Sequence, residues 1–304
     1  KQWLKAYLNE IKRVSEKTSN RILNSVFFGG GTPSLIEPSI IGDVLNEIQK
    51  HWKTKNNFEV TLEANPGSVD AKNFKAYKEA GVIRTSMGIQ SLNTKDLKAL
   101  GRTHTVEEAL AAFEIARQNF KAVSFDLIYA RQNQNISQWE KELSLALSLE
   151  ASHMSLYQLT IEQGTAFGDR YNRGLLKGLP NDDTSADMYD LTLSLCEDRG
   201  LVSYEVSNYA HEGYESIHNL IYWRYGDYIG IGPGAHGRLT IDGKKYATET
   251  VLSPEAWLKK VECDGSGESN SVVLTDQQQA AEFVMMGLRS VSYTHLRAHE
   301  TVAN

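Results

Sequence analysis

The stretch 25–35 reads SVFFGGGTPSL, a short apolar run that ends in three consecutive glycines. β-Branched and aromatic residues favour a buried strand. Glycine adopts positive φ without steric penalty, and consecutive glycines can present bare backbone N–H groups to a ligand. The stretch therefore predicts a strand that leads into a ligand-binding turn, with a ligand-free strand-to-helix turn as the alternative.

Around this stretch the sequence alternates between strand and helix patterns. We predict further strands over 58–63, 82–90, 123–129 and 153–160, and amphipathic helices over 2–17, 39–52, 70–80, 105–119, 137–149 and 184–199. Consecutive strands joined by helices indicate a parallel sheet, because parallel strands need long connections. The sequence predicts an α/β fold with a closed or open barrel, and a doubly wound sheet is the alternative.

Polar residues recur where the predicted strands end, at Thr32, Glu63, Gln90 and Asp126. The carboxyl ends of barrel strands meet at one face, where barrel proteins bind their ligands. These positions therefore favour the barrel. Taken singly, each has a structural explanation, such as capping a helix or pairing with a lysine. Together with the glycines and Arg102, they suit an amino-acid carboxylate, an ammonium and a ribose, which is the chemistry of S-adenosylmethionine.

Composition excludes several classes of protein. The chain has 304 residues, of which 41% are hydrophobic and 23% charged, so it can bury a large core. A net charge of −6 argues against a nucleic-acid surface, and no apolar run approaches the roughly 20 residues that span a bilayer. Two cysteines, Cys196 and Cys263, frame no disulfide scaffold. We predict a cytoplasmic protein with no nucleic-acid partner and no membrane span.

A series of motifs extends from about Trp3 to Arg289. They are FGGGTPS at 28–34, LEANPG at 62–67, GIQS at 88–91, GRTH at 101–104, DLIY at 126–129, YEVSN at 204–208 and IGPGAH at 231–236. In this order they resemble the radical S-adenosylmethionine proteins of the oxygen-independent coproporphyrinogen III oxidase type. The resemblance implies a partial (β/α)6 radical-SAM barrel that holds a [4Fe–4S] cluster and S-adenosylmethionine, here lacking its first strand and carrying a C-terminal elaboration.

The resemblance also implies contacts with S-adenosylmethionine, and the matching residues are Gly30, Gly31, Thr32, Glu63, Gln90, Arg102 and Asp126. The residues matching the two glycines and the threonine hold the methionine end, and the one matching the arginine meets its carboxylate. Those matching the glutamine and the aspartate face the ribose, and the one matching the glutamate lies beside the cofactor.

Residues 218–223, HNLIYW, look like the HNxxYW signature of the heme chaperones within this family. The resemblance implies that His218, Tyr222 and Trp223 bind heme, with His218 as a candidate iron ligand. Histidine and tyrosine can both ligate heme iron, and aromatic rings offer flat apolar surface to a macrocycle. The alternative is that these aromatic residues pack the open side of the barrel.

The sequence departs from the family pattern in three places. It contains no Cys-x-x-x-Cys-x-x-Cys motif, so the chain as given cannot ligate the cluster, and we expect an N-terminal truncation that removes the first strand. Residues 130–135, ARQNQN, replace a loop that usually carries glycine or proline. Beyond 289 the family pattern ends. We predict a barrel over 1–200, a heme- or substrate-side region over 201–289 with a flexible link at 265–269, and a non-family, non-native tail over 290–304.

The implied function is that of a heme chaperone, which binds heme and delivers it to respiratory enzymes of the membrane, with the cluster and S-adenosylmethionine in support. The alternative is an oxygen-independent coproporphyrinogen III oxidase, in which a radical derived from S-adenosylmethionine decarboxylates the propionates. A third alternative is an inert fragment.

Overall fold

The computed structural model describes residues 1–18, 20–66 and 71–290. Helices and strands alternate through its first part as α1 (Gln2–Thr18), β1 (Ile22–Phe28), α2 (Pro38–His51), β2 (Lys53–Ala64), α3 (Ala71–Glu79), β3 (Arg84–Gln90), α4 (Thr94–Ala99), α5 (Val106–Asn119), β4 (Ala122–Tyr129), α6 (Ile136–Leu147) and β5 (His153–Gln158). The predicted tail over 290–304 lies outside the described residues apart from its first position.

Strands β1 to β5 lie side by side in chain order, and each pairs in parallel with the next. After α7 (Ala166–Asn172) and α8 (Asp182–Glu197), β6 (Val202–Ser203) and β7 (Asn208–Ala210) complete a 7-stranded sheet, with β7 antiparallel to β5. A doubly wound sheet reverses its strand order at a switch point, and β1 to β5 contain no such reversal. The prediction of a partial barrel is confirmed, and the doubly wound alternative is wrong.

The two faces of the parallel sheet differ in chemistry, because successive residues of a strand point to opposite sides. On the face covered by helices, Leu62, Met87, Phe125 and Met154 are completely buried in one apolar core. The opposite, inner face carries polar side chains at the alternating positions, and those that are buried are Glu59, Thr61, Arg84, Ser124, His153 and Ser155. The helices therefore cover the apolar face of the sheet, and the inner face is available for polar contacts.

The C-terminal region adds a second, smaller sheet. Its elements are α9 (Ile217–Trp223), β8 (His236–Ile241), β9 (Lys244–Thr250), α10 (Pro254–Asp264), β10 (Glu268–Val273) and α11 (Asp276–Gly287), and β9 is the central strand of an antiparallel sheet. The prediction of a flexible link at 265–269 was wrong. Gly265 caps α10 with φ of 73°, and the carbonyl of Gly267 accepts a hydrogen bond of 3.0 Å from the N–H of Val251. The glycine serves a helix end, where left-handed φ is common.

Strand β1 forms one edge of the large sheet and pairs only with β2 among the described residues. Its outer side borders a cavity of about 460 Å³, whose other walls come from α1, α2, α9 and the segment that leads into β8. Within the described part of the chain, no helix is long and apolar enough to cross a bilayer.

Candidate functional site

The glycine turn at the end of β1 lies against the end of β2. Gly30 and Gly31 have φ of 82° and 63°, and a Cβ atom at either position would have no neighbour within 4 Å. The N–H of Gly30 donates to Oε2 of Glu63 over 3.1 Å. Burial raises the pKa of Glu63, and this hydrogen bond partly offsets the effect. The turn thus presents open backbone beside a carboxylate, as the sequence predicts for a ligand-binding turn.

Asp126 is surrounded by hydroxyl groups from three strands. Ser86 Oγ lies 3.0 Å from its Oδ2, and Ser124 Oγ lies 3.2 Å from its Oδ1. A hydrogen bond from Ser155 adds to these, yet burial dominates and, with the negative charge of Glu63, raises the pKa of Asp126 to about 6. Two carboxylates on β2 and β4, the strands on either side of β3, therefore form an acceptor-rich surface, which suits the hydroxyl groups of a ribose.

Gln90 ends β3 in a left-handed conformation with φ of 72°, which is uncommon for a residue other than glycine. A Cβ atom on Gly88 would lie only 2.9 Å from Nε2 of Gln90, so the amide folds back over this glycine. A side chain at position 88 would make this flexible amide shift, so the glycine leaves room for its present position. Gln90 thereby reaches the same end of the sheet as Asp126, since β3 and β4 are paired neighbours.

The loops that follow β3 and β4 are held by one buried ion-pair cluster. Oε1 of Glu142 accepts hydrogen bonds from Ser91 Oγ over 2.6 Å and from the N–H of Leu92 over 2.7 Å. Its Oε2 lies 2.5 Å from Nη2 of Arg131, which also contacts Asp96 at 2.8 Å. Arg131 belongs to the loop that departs from the family sequence. The loop is therefore fixed by buried charge rather than by glycine or proline.

Two other predicted contacts make no link to this group. Arg102 is exposed on the connection between α4 and α5, and its side chain forms no hydrogen bond or ion pair with the described residues. Thr32 precedes the short turn Pro33–Leu35 without capping it. The structure thus brings together Gly30, Glu63 and Asp126, and the roles of Arg102 and Thr32 stay predictions.

His218 opens α9 and stacks on Phe27 of β1, with ring centroids 4.4 Å apart. Tyr222 meets the imidazole edge-on at 4.8 Å. No described residue forms a hydrogen bond to the ring nitrogens of His218, and burial lowers the pKa of this histidine to about 4. The imidazole is therefore neutral at pH 7 and keeps a free lone pair, which is the form that ligates iron.

Tyr222 and Trp223 complete the aromatic group on α9. The Tyr222 ring contacts Tyr228 at 4.4 Å, and burial raises the pKa of the Tyr222 phenol to about 12. Trp223 lies beneath the guanidinium of Arg289 at 4.7 Å, and its buried Nε1 has no hydrogen-bond partner among the described residues. His218 and Tyr222 both line the cavity beside β1. The three residues predicted for heme therefore lie on one short helix beside the strand that carries the glycine turn.

The residues present do not fit an iron–sulfur cluster. Cys196 is buried under the sheet with its pKa raised to about 12 by burial, and Cys263 is exposed on α10. Among the described residues, no group of three or more His, Cys, Asp or Glu side chains could hold a metal ion. A cluster needs several thiolates at suitable spacing, so these two cysteines cannot hold one.

Comparison with known proteins identifies the family. Residues 5–146 match the Radical SAM superfamily. A mitochondrial radical S-adenosyl methionine domain-containing protein 1 of Dictyostelium discoideum is 38% identical, over 96% of this chain and 73% of the relative. The chain belongs to the radical S-adenosylmethionine superfamily. The heme chaperone HemW of Haemophilus influenzae is 43% identical over 76% of this chain and 59% of its own length.

The superfamily fold is found in a solved structure as well. Coproporphyrinogen III oxidase (HemN) of Escherichia coli, described as a radical SAM enzyme, superimposes with a TM-score of 0.78 at 19% identity, over 95% of this chain and 68% of that one. This likeness supports the fold alone. The chain spans between 59% and 65% of the length of several vertebrate and bacterial relatives that it matches.

Sequence reasoning missed the polar residues that surround the predicted radical SAM site. These are Ser86, Ser124, Ser155, His153 and Tyr204, which contact Asp126 directly or through one another. For the four strand residues the signal in the sequence is alternation, because a hydrophilic residue at every second position of a buried strand marks a polar inner face. Tyr204 lies between β6 and β7 and has no such signal.

Proposed function

We propose that this chain binds S-adenosylmethionine at the glycine turn and the carboxyl ends of β1 to β4, and heme at α9. The chemistry of the first site supports the cofactor. The open backbone of Gly31 can donate to the methionine carboxylate, and Glu63, which accepts from the N–H of Gly30, can also accept from the ammonium of the ligand. Asp126 and Gln90 can bind the ribose hydroxyls. S-Adenosylmethionine supplies a sulfonium-activated methionine and adenosine, and the protein groups named here would bind and orient it.

The function that we propose is that of a heme chaperone of the HemW type. The observation that carries this proposal is the state of His218, which is neutral, stacked on Phe27 with Tyr222 edge-on to it, and free of hydrogen bonds from described residues to its ring nitrogens. The His218 ring is partly buried and lines the cavity beside β1, so a ligand in that cavity can contact the ring. A ring in this state is ready to ligate iron, with Tyr222 and Trp223 beside it as apolar surface for the macrocycle.

A titration of the chain with hemin tests this proposal. We expect a Soret band that saturates at one heme per chain, and a His218→Ala variant that binds at least about tenfold more weakly, which corresponds to about 1.4 kcal/mol. His51→Ala is the matched control, because His51 is a partly buried histidine on α2. Equal affinities for the wild type and His218→Ala would refute ligation by His218. Tyr222→Phe distinguishes ligation by the phenol, which it removes, from packing by the ring, which it keeps.

The proposal extends to the fate of the heme. We propose that bound heme is delivered to respiratory enzymes of the membrane, which is what the resemblance implies, and transfer from the heme-loaded chain to an apo respiratory enzyme would test it. If the chain instead converted coproporphyrinogen III without binding heme, the oxidase alternative would be favoured. The cytoplasmic location stays a prediction, and relatives named as mitochondrial make localisation of a tagged protein the direct test.

A further inference from the structure

A chain of hydrogen-bonded side chains crosses the inner face of the sheet from Asp126 to α9. Ser124 Oγ lies 3.2 Å from Oδ1 of Asp126 and 2.8 Å from Nδ1 of His153. On the other side of the imidazole, Nε2 lies 2.8 Å from the hydroxyl of Tyr204, and this hydroxyl lies 3.2 Å from Nδ2 of Asn219. The carboxylate proposed for the ribose and a residue of the proposed heme helix are thus the two ends of one polar chain.

The middle of this chain is shielded from water. Ser124 and His153 are each 2% exposed. Burial, helped by the positive charge of Arg84, lowers the pKa of His153 well below 6.5, so the imidazole is neutral. A neutral imidazole has one donor and one acceptor nitrogen. His153 can therefore donate toward Ser124 or toward Tyr204, but never toward both at once.

The groups at the two ends of this hydrogen-bonded series, Asp126 and Asn219, determine the direction in which its members donate. An ionised Asp126 only accepts, so Ser124 donates to it, and His153 then donates from Nδ1 to Ser124. Tyr204 completes this order by donating to Nε2 of His153 and accepting from the amide of Asn219. The opposite order is equally complete, with Ser124 donating to Nδ1, His153 donating to Tyr204, and Tyr204 donating to the amide oxygen of Asn219. The two orders exchange as a unit, because any mixed order leaves a buried group unpaired.

The two ends also touch the two proposed ligands. Ribose hydroxyls that donate to Asp126 compete with Ser124 for its oxygens and favour the opposite order. That order requires the Asn219 amide to turn over, next to His218 on the first turn of α9. Helix α9 also contacts this hydrogen-bonded series through Ser216, whose backbone N–H lies 3.4 Å from the Tyr204 hydroxyl.

We propose that Ser124, His153 and Tyr204 are positioning residues that couple the Asp126 site to α9, so that S-adenosylmethionine and heme change each other's affinity. This inference rests on the proposed function for both ligands. Coupling between two binding sites is reciprocal. The series of hydrogen bonds from Asp126 to Asn219 is thus a two-state element, and each ligand favours one direction of donation along it.

The test is a double titration of the chain with hemin and S-adenosylmethionine. We measure the dissociation constant for hemin with and without saturating S-adenosylmethionine, then the reverse, and expect the same ratio of at least about fivefold in both directions. Tyr204→Phe should bring both ratios to one. Ser124→Ala, which removes the hydrogen bond on the other side of His153, should do the same. Tyr209→Phe is the control, because Tyr209 is buried on β7 in the core beneath the helices.

A measurement without ligands separates positioning from simple structural support. In the free chain labelled with ¹⁵N-histidine, we expect His153 with its proton on Nδ1, and loss of the Nε2 hydrogen-bond shift in Tyr204→Phe. If the wild type binds neither ligand, the proposed function fails and this inference fails with it. If it binds both and the ratio is one, or if Tyr204→Phe keeps the wild-type ratio, the coupling alone is overturned.

Discussion

Replacement of Asp126 by asparagine should stabilise the free chain and damage its ligand site. Burial and the nearby charge of Glu63 raise the pKa of Asp126 from 3.8 to about 6, even though three serine hydroxyls donate to it. Because the pKa is higher in the folded than in the unfolded chain, the folded chain holds more protons between these two values. Its stability therefore falls as the pH rises through this window.

The magnitude follows from the shift. A difference of about two pKa units corresponds to about 3 kcal/mol of free energy of unfolding, which is lost almost entirely by pH 7.5. At pH 4.5 folded Asp126 is largely protonated, and only about 1 kcal/mol is lost. Asparagine carries no charge at either pH. We therefore expect the stability of Asp126→Asn relative to wild type to be about 2 kcal/mol more favourable at pH 7.5 than at pH 4.5.

Urea unfolding at the two pH values provides the assay, with the exposed Asp187→Asn on α8 as the matched control. Groups other than Glu63, whose charge interacts with Asp126, titrate equally in both chains and cancel in the difference between variant and wild type. A difference that stays constant between the two pH values would refute the assignment of a raised pKa to Asp126. The same variant should bind S-adenosylmethionine more weakly, since the amide offers the ribose hydroxyls one neutral acceptor oxygen in place of two charged ones.

Three further predictions concern other parts of the site. Arg102→Ala should weaken S-adenosylmethionine binding by about 1.5–3 kcal/mol, because a charge-assisted hydrogen bond to the carboxylate is lost, and an unchanged dissociation constant in calorimetry would contradict this. Gly31→Ala should lower the free energy of unfolding by about 1–2 kcal/mol, because φ of 63° is left-handed and strains any residue with a Cβ atom. A Gly31→Ala variant with the urea midpoint of the wild type would argue against this strain. Arg131→Met should lower the free energy of unfolding by about 3–5 kcal/mol, since it leaves the charge of Glu142 buried and unpaired. The control Arg173→Met, at an exposed position, should change it little. Equal urea midpoints for both variants would contradict the role of the buried ion-pair cluster.

The fold could be predicted where the signals are local. The segment Thr105–Glu108 reads as a capping box, and in the structure both of its hydrogen bonds form at the start of α5. The strands β1 to β5 follow from short apolar runs between helical patterns, and the glycine turn follows from its composition. The prediction of a flexible link at 265–269 was wrong because glycine and serine are common both in flexible linkers and at a helix cap that is followed by a strand.

Periodicity, capping and glycine content act over a few residues, so the sequence alone predicts most of the helices and strands from α1 to β5, the glycine turn and the motifs of the radical SAM family. The contact of Glu63 with Gly30, the serines from three strands around Asp126, and the link from Asp126 to α9 through His153 and Tyr204, 51 residues apart, are visible only in the folded chain. These contacts depend on which strands are neighbours and on their register. A shift of one residue in the register of β4 or β5 would turn Ser124, Asp126 or His153 to the other face of the sheet.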